Sequence, residues 1–515
     1  MSAAHKHRIS MLILVGLTLL ALLTRGVYLS IYPNGLNQDE AYAAYEAFSL
    51  LYYGMDSHGY HNPVYFVSWG SGMNALYSYV TIPFIKLFGL TLTAVRLPQA
   101  LFGVLTVPVC YALGKELLSR RFGLIFAFLV CISPWHIMLS RWGLESNLAV
   151  FFVTAGCLCF VKGLTKNEWW LGAAVFYGLS LYCYATLWLV LPIALAVQVG
   201  YAFAVKAVRK RKMAALSVSL LGALALLPML FVAVNLGWIS PVVTPFFSIP
   251  KLSGFRAGEY SVSGAGNQFY EFYQMLAAQS DSTAHNVLDG FGVYYLFSTP
   301  LVVYGLAAMV IDAAAELRGG KKALQDGRFI CVLAFLVGTL PAAVLLRYVN
   351  INKVNSLWIA LICCLAYAVF KLQEQWKKVG LSLLIAYGIS FFAFCGFYFG
   401  KGQISFQTQG IEQALAACKD SNKTIHLVDT AHPIVLFYTR YPTDRYVQEV
   451  VYQNQSEEWQ YAQSFGNFSF VPNIEQIDTQ AVYLCHWSME NWHSALQSSG
   501  MTPQYFGEYA VYGLS

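Results

Sequence analysis

Charge is what this sequence most lacks. Of its 515 residues only 11% are Asp, Glu, Lys or Arg, less than half the roughly 25% of an ordinary globular domain, and long stretches carry none at all. A soluble enzyme of the usual kind is excluded, because its surface could not be covered with so few charges. Paired CxxC spacing is missing too. Nine of the eleven cysteines (Cys110, Cys131, Cys157, Cys159, Cys183, Cys331, Cys363, Cys364 and Cys395) lie scattered in apolar runs, which argues against a zinc site or a disulfide scaffold. Cys418 and Cys485 fall in a polar region, where they read either as isolated core thiols or as a pair. No internal repeat is visible, which counts against a transporter built from inverted repeats. The net charge is only +6 and its excess sits in a few short loops, so nothing suggests nucleic acid.

What is present is apolar sequence: 57% of residues are hydrophobic and mean hydropathy is +0.52. It is gathered into runs of about twenty uncharged residues, the length that crosses a bilayer's hydrocarbon core. The chain is therefore expected to be a polytopic α-helical membrane protein. The first run, residues 9–23, follows His5-Lys6-His7-Arg8, and no small-residue cleavage site precedes Arg25 and Tyr28. It reads as a retained helix with its N-terminus in the cytoplasm. Further spans are expected at residues 93–113, 122–139, 148–164, 170–187, 188–205, 214–234, 293–311, 329–346, 354–370 and 379–399, eleven helices in all.

Residues 63–88 are apolar enough to span but are broken by Gly70, Gly72, Pro83 and Lys86. Charge parity decides the matter. If this segment reclines on the surface, the clusters at Lys115/Arg120/Arg121, Lys162/Lys166, Lys206–Lys212, Arg318/Lys321/Lys322/Arg328 and Lys371/Lys377/Lys378 share a side with Lys6 and Arg8. The positive-inside rule favours that interfacial placement. It leaves two long outer loops, about 28–92 and 235–292, and an outward-facing tail. The expected domains are a transmembrane domain, 1–399, and a small extracytoplasmic α/β domain, 400–515. In the tail, residues 413–418 and 489–497 read as helix and 424–428 and 481–485 as strand.

The strongest chemical signal is Asn37-Gln38-Asp39-Glu40, just after the first helix and just before a helical pattern over residues 41–51. Acids in a first turn complement the helix dipole, and that alone accounts for a cap. A carboxylate at the membrane surface with a second beside it also suits a general base acting on a hydroxyl. Parity places Ser140–Asn147 in a second outer loop, so Arg141 and Glu145 reach the same surface. Charges at such a depth mark polar cavities, although an Arg and a Glu four residues apart also close a turn.

The Asp39 loop further carries Asp56, His58, His61 and Asn62. Its histidines suit an anion or, with the carboxylates, a divalent metal, or they are merely solvated. Arg347, Tyr348, Asn350, Asn352, Lys353 and Asn355 crowd a later helix mouth, as snorkelling side chains or as donors to phosphate. Tyr182 and Tyr184 read as an aromatic belt before they read as ligands.

Several of these features together resemble one family. They are the first helix with Arg25, the Asp39-Glu40 pair opening an amphipathic helix, the reclining segment over 63–88, and Arg96-Leu97-Pro98. The Gly114-Lys115 to Arg120-Arg121 turn and the Ser140–Asn147 loop continue the match. The pattern is similar to the integral-membrane GT-C glycosyltransferases of the protein O-mannosyltransferase and aminoarabinose transferase superfamily, over about the first 200 residues. The resemblance implies transfer of a sugar, with inversion, from a polyprenyl-phosphate donor to a protein, lipid or wall-polymer acceptor on the outer face of a bacterial plasma membrane.

It implies Asp39 as the catalytic acid residue, Glu40 as its neighbour shaping the acceptor site, and Glu145 where the second outer loop usually carries an Asp. Asn62 stands where the aminoarabinose transferases have a phosphate-binding Lys, so the leaving phosphate falls to His61, Arg141, Arg347 or Lys353. His58, Asn62, Tyr182 and Tyr184 are left for the acceptor or sugar pocket. No cofactor is required by this chemistry, though a divalent metal would be compatible with it. The rival readings are a polyprenyl-linked glycan ligase or polymerase, expected to carry more basic residues in a late loop than Lys251 and Arg256, a lipid or solute transporter, and an inactive scaffold.

Overall fold

The computed structural model describes residues 3–255, 260–261, 263–318, 327–401, 404–454, 459–471, 473–474 and 477–514. Lys321, Lys322 and Arg256 lie outside them. The chain divides into two compact units: Met1–Leu29, Leu97–Met229 and Ala257–Gln403 form the first, and Ser30–Arg96, Leu230–Arg256 and Ile404–Ser515 the second.

The first unit is helical. Among the described residues eight helices are long and apolar enough to cross a membrane, from Ala4–Gly26 to Lys377–Gly400, and the chain is a polytopic helical membrane protein. Each of the eleven apolar runs overlaps helix, those at 122–139, 170–187 and 293–311 only in part. Three of those helices are shorter: Arg120–Ile132, Trp169–Ser180 and Ile330–Leu345.

The first of these stops where Pro134 follows Ser133. Proline has no N–H and pushes the preceding residue out of the helical region, and Ser133 sits at φ −61, ψ 125. Its hydroxyl then caps a second helix, Pro134–Leu139, accepting from His136 N, and donates to Val293 O at 2.7 Å.

The helix Asn355–Gln375 is the axis of this unit. Residues 355–370 are all buried, packed against Thr299–Arg318, Arg120–Ile132, Lys377–Gly396 and Ile330–Leu345. Small residues permit the approach: a Cβ on Gly305 would lie 1.9 Å from the carbonyl oxygen of Cys364, the close contact by which membrane helices associate. The Ala4–Gly26, Arg211–Asn235 and Lys377–Gly400 helices, by contrast, are only 22% buried. Their apolar faces suit lipid, since a water-facing surface of that size would not stay exposed.

Residues 63–88 form part of the second unit. They make a two-residue hairpin, β1 (Tyr65–Phe66) with β2 (Met73–Asn74), and then a helix, Leu76–Phe88. Thirteen residues rise only about 20 Å, well short of the ~30 Å hydrocarbon core. A second hairpin pairs β3 (Val242–Val243) with β4 (Ser248–Ile249).

The C-terminal segment folds into a mixed seven-stranded sheet in the order β10-β11-β9-β5-β8-β7-β6. Its strands are β5 (Ile425–Val428), β6 (Val451–Tyr452), β7 (Ala462–Phe465), β8 (Phe468–Phe470), β9 (Val482–His486), β10 (Pro503–Phe506) and β11 (Tyr509–Tyr512). β5 is central, parallel to both β8 and β9. The helices Ile411–Ala417 and Glu490–Ser498 fall where the sequence pattern places them. Cys418 and Cys485 are buried free thiols.

Adding one methyl at Gly305 forces the two helices apart. Gly305→Ala is expected to lower stability by about 1–3 kcal/mol. Gly388→Ala, where a Cβ meets nothing within 4 Å, should be neutral or stabilising by up to ~1 kcal/mol. Thermal unfolding of the detergent-solubilised protein separates the two, and equal effects would contradict the packing described.

Candidate active site

In the second unit the Gln38–Tyr53 helix starts at Asn37, whose side-chain oxygen accepts the Asp39 N–H at 2.8 Å. The two acids of the first turn then part company. Glu40 turns inward and is held by Arg96 through two parallel bonds, Nε to Oε1 and Nη2 to Oε2, both 2.8 Å, with both side chains 0% exposed. The same guanidinium donates to the carbonyls of Pro33 at 2.9 Å and Gly35 at 2.6 Å. One side chain therefore ties the helix start to the segment that leads into it. The fork geometry of Arg makes this bidentate grip, which Lys would not reproduce.

Asp39 stays at the edge, partly exposed, and its Oδ1 accepts from the indole N–H of Trp69 at 3.0 Å. Trp69 is in turn wedged among Tyr42, His432 and Tyr461, with ring centroids 5.9, 5.0 and 5.7 Å away. Burial pushes the His432 imidazole down to about 3, so it packs as a neutral ring. Trp69 follows no periodic pattern in the sequence, and His432 and Tyr461 come from a distant part of the chain. Sequence reasoning had no signal for them.

The other residues of this loop build a buried polar knot. Asp56 accepts the N–H groups of His58 at 2.9 Å and Tyr60 at 2.8 Å. Glu46, fully buried, accepts both the N–H and the hydroxyl of Ser57. Desolvation raises both carboxyls above their ordinary range. His58 stacks on Tyr452, 5.8 Å between centroids, and burial lowers it to about 4. His61 is exposed, its Nδ1 2.7 Å from Gly54 O. Asn62 adopts φ +44, a left-handed conformation Asn tolerates better than most side chains. Backbone geometry thus accounts for Asn before Pro63.

The remaining candidates lie in the first unit. Arg141, fully buried, donates to the carbonyls of Thr24 (2.7 Å), Val27 (2.8 Å) and Tyr28 (3.1 Å) at the end of the first helix, and it stacks over Phe399. Glu145 begins a short 3-10 turn, Glu145–Leu148, and is buried. Asn355 anchors that turn through Ser146 O at 3.0 Å. Tyr184, Asn352 and Lys353 meet Ser146 around a space of about 10 Å3, room for about one water and no sugar. Tyr182 donates its hydroxyl to Leu224 O at 2.7 Å, and Arg347 is exposed. Among the described residues no three His, Cys, Asp or Glu side chains converge as a metal site.

Residues 75–238 match the family model of dolichyl-phosphate-mannose-protein mannosyltransferases. The chain is also similar in structure to ArnT from Cupriavidus metallidurans bound to undecaprenyl phosphate, with a TM-score of 0.62 and 12% identity over 99% of this chain and 98% of that one. The chain has the GT-C glycosyltransferase fold. Archaeal oligosaccharyltransferase AglB from Archaeoglobus fulgidus, solved in complex with an inhibitory peptide and a dolichol-phosphate, shares that GT-C fold at TM-score 0.54 and 10% identity, over 99% of this chain and 74% of that one. No curated protein sequence matches. The GT-C resemblance read from the first 200 residues is therefore borne out, and it extends over the whole chain as a fold.

The acid knot makes a pH prediction. A carboxyl whose folded pKa is raised binds its proton more tightly when folded, so its contribution to stability is present at low pH and is lost as pH rises through the folded value. Glu46→Gln, a permanently neutral mimic, should gain stability over the intact protein progressively as pH rises above the ordinary carboxylate range. Melting curves across pH check this, and a gap that shrinks with rising pH would contradict it.

Proposed function

We propose that the protein is a membrane glycosyltransferase that moves a sugar from a polyprenyl-phosphate donor to an acceptor hydroxyl on the outer face of the membrane, with inversion at the anomeric carbon. The observation that carries this reading is the setting of Asp39: a partly exposed carboxylate oriented by Trp69 at a helix start that Glu40 and Arg96 pin, in a chain with the GT-C fold. Asp39 takes the proton of the acceptor hydroxyl as its oxygen attacks the anomeric carbon. The carbon–oxygen bond to the lipid phosphate breaks, and the phosphate leaves with the electron pair.

A lipid phosphate is already a good leaving group, so the chemistry needs positioning, a base and a cation near the departing charge more than it needs a metal. The candidates for that cation are His61 and Arg347, both exposed, with Lys353 and Arg141. Glu145 is the second candidate acid, and His58, Asn62, Tyr182 and Tyr184 are the candidates for the acceptor or sugar pocket. This reading includes eleven spans, a cytoplasmic N-terminus and a bacterial plasma membrane. The ligands of the two similar structures, undecaprenyl phosphate and dolichol-phosphate, support a lipid-linked donor.

The test is transfer from a panel of radiolabelled polyprenyl-phosphate sugars into membrane extracts. Asp39→Asn should lose about 10²–10⁴-fold in rate with little change in melting temperature. Glu40→Ala should instead fail by misfolding, since an uncompensated buried Arg costs about 3–5 kcal/mol. Equal label from Asp39→Asn and the intact protein would reduce Asp39 to a helix cap and end the proposal.

A further inference from the structure

In the second unit, the carboxyl ends of the parallel strands β5, β8 and β9 open onto a cleft of about 630 Å3. Open α/β sheets bind their ligands at that edge, and the volume is that of an ordinary small-molecule site, roughly 300–1,000 Å3. Asn37 and Gln38, on the approach to Asp39, line it, as do His432 and Tyr461, which pack on Trp69.

Two side chains at the strand ends are unusual. His486, the last residue of β9, is only 3% exposed. Its Nδ1 is engaged by the Ser488 hydroxyl at 2.7 Å, while its Nε2 is buried without a hydrogen-bond partner. An orphaned buried nitrogen costs about 1–3 kcal/mol, and an occupant of the cleft would satisfy it. Asp429, directly after β5, holds φ +57 and keeps a half-exposed carboxylate 4.0 Å from the His486 ring.

The chemistry of the walls selects the occupant. No described lining residue is Lys or Arg, so the cleft offers a phosphate or carboxylate no countercharge. It offers instead side-chain amides, Asn37 and Gln453 among them, one carboxylate and the imidazoles of His432 and His486, set among the rings of Tyr461, Phe470 and Tyr509. Hydroxyls both donate and accept, and so can use amide, carboxylate and imidazole partners at once. Aromatic faces cover the apolar side of a sugar ring.

We propose that this cleft binds a neutral carbohydrate, the glycan portion of the acceptor, with Asp429 and His486 as its hydroxyl partners. The assignment of that carbohydrate as the acceptor rests on the transferase reading; the binding itself does not. Asn37 and Gln38 connect the cleft to Asp39 along one turn of chain, so an acceptor seated there approaches the proposed base.

The experiment is saturation-transfer NMR and calorimetry on the full-length protein in detergent, with a panel of neutral mono- and disaccharides, inorganic phosphate and an uncharged hexapeptide as probes. At least one neutral saccharide should bind, phosphate and peptide should not, and His486→Ala should weaken that binding about tenfold. Asp429→Gly is the second variant, because glycine accepts its positive φ without strain; it should keep the fold and also weaken the saccharide. Binding of phosphate or peptide in preference, no binding by any saccharide, or affinity unchanged in Asp429→Gly would overturn the proposal. Saccharide binding by Asp39→Asn separates the two readings. Binding retained without transfer supports both, whereas transfer that depends on Asp39 in a protein that binds no saccharide removes only this one.

Discussion

The bidentate contact between Arg96 and Glu40 is the interaction on which the site depends. A buried ion pair is weak evidence for stability, because desolvation offsets much of the attraction. Its value here is geometric. Arg96 spends its remaining donors on the carbonyls of Pro33 and Gly35, so the approach to the helix, its first turn and the start of the Leu92–Leu117 helix share one rigid node. The neighbouring carboxylate of Asp39 is consequently delivered to the helix edge at a fixed angle, where Trp69 orients it. Two adjacent acids with opposite fates follow from helix geometry, since successive side chains are about 100° apart on a helix of 3.6 residues per turn.

Polar groups elsewhere are managed in the way a low-dielectric interior requires. Arg25 reaches Val130 O, Cys131 O and His136 Nδ1, and Arg141 closes the end of the same first helix. Both lie at helix ends, where unsatisfied carbonyls provide partners without a second charge. In the sheet of the second unit β9 and β11 are buried along their whole length, and the polar groups of the cleft sit at strand ends.

Much of this was legible in the sequence because its strongest signals are long and periodic. The apolar runs, the break at Gly70, Gly72 and Pro83, and the first turn at Asp39-Glu40 all have direct physical causes in local composition. The strands at 425–428 and 482–486 and the flanking helices were readable for the same reason. What the sequence concealed depends on distant pairing. Trp69 gains meaning only when His432 and Tyr461 pack on it, β10 and β11 are not among the strands read from the sequence, and the orphaned nitrogen of His486 has no sequence signature. Arg141 likewise makes contacts that no local spacing announces: its guanidinium donates to carbonyls more than a hundred residues away.

The most direct test of the account is a structure of the protein with a non-hydrolysable polyprenyl-phosphate sugar bound, read for the distance from the Asp39 carboxylate to the anomeric carbon. A base within hydrogen-bond reach of a hydroxyl poised for attack requires about 6 Å between carboxylate and carbon. That separation, with one hydroxyl's width between them, is the result expected. A donor seated with its anomeric carbon more than about 10 Å from Asp39, beyond the reach of any single hydroxyl, would contradict the assignment of Asp39 as the base.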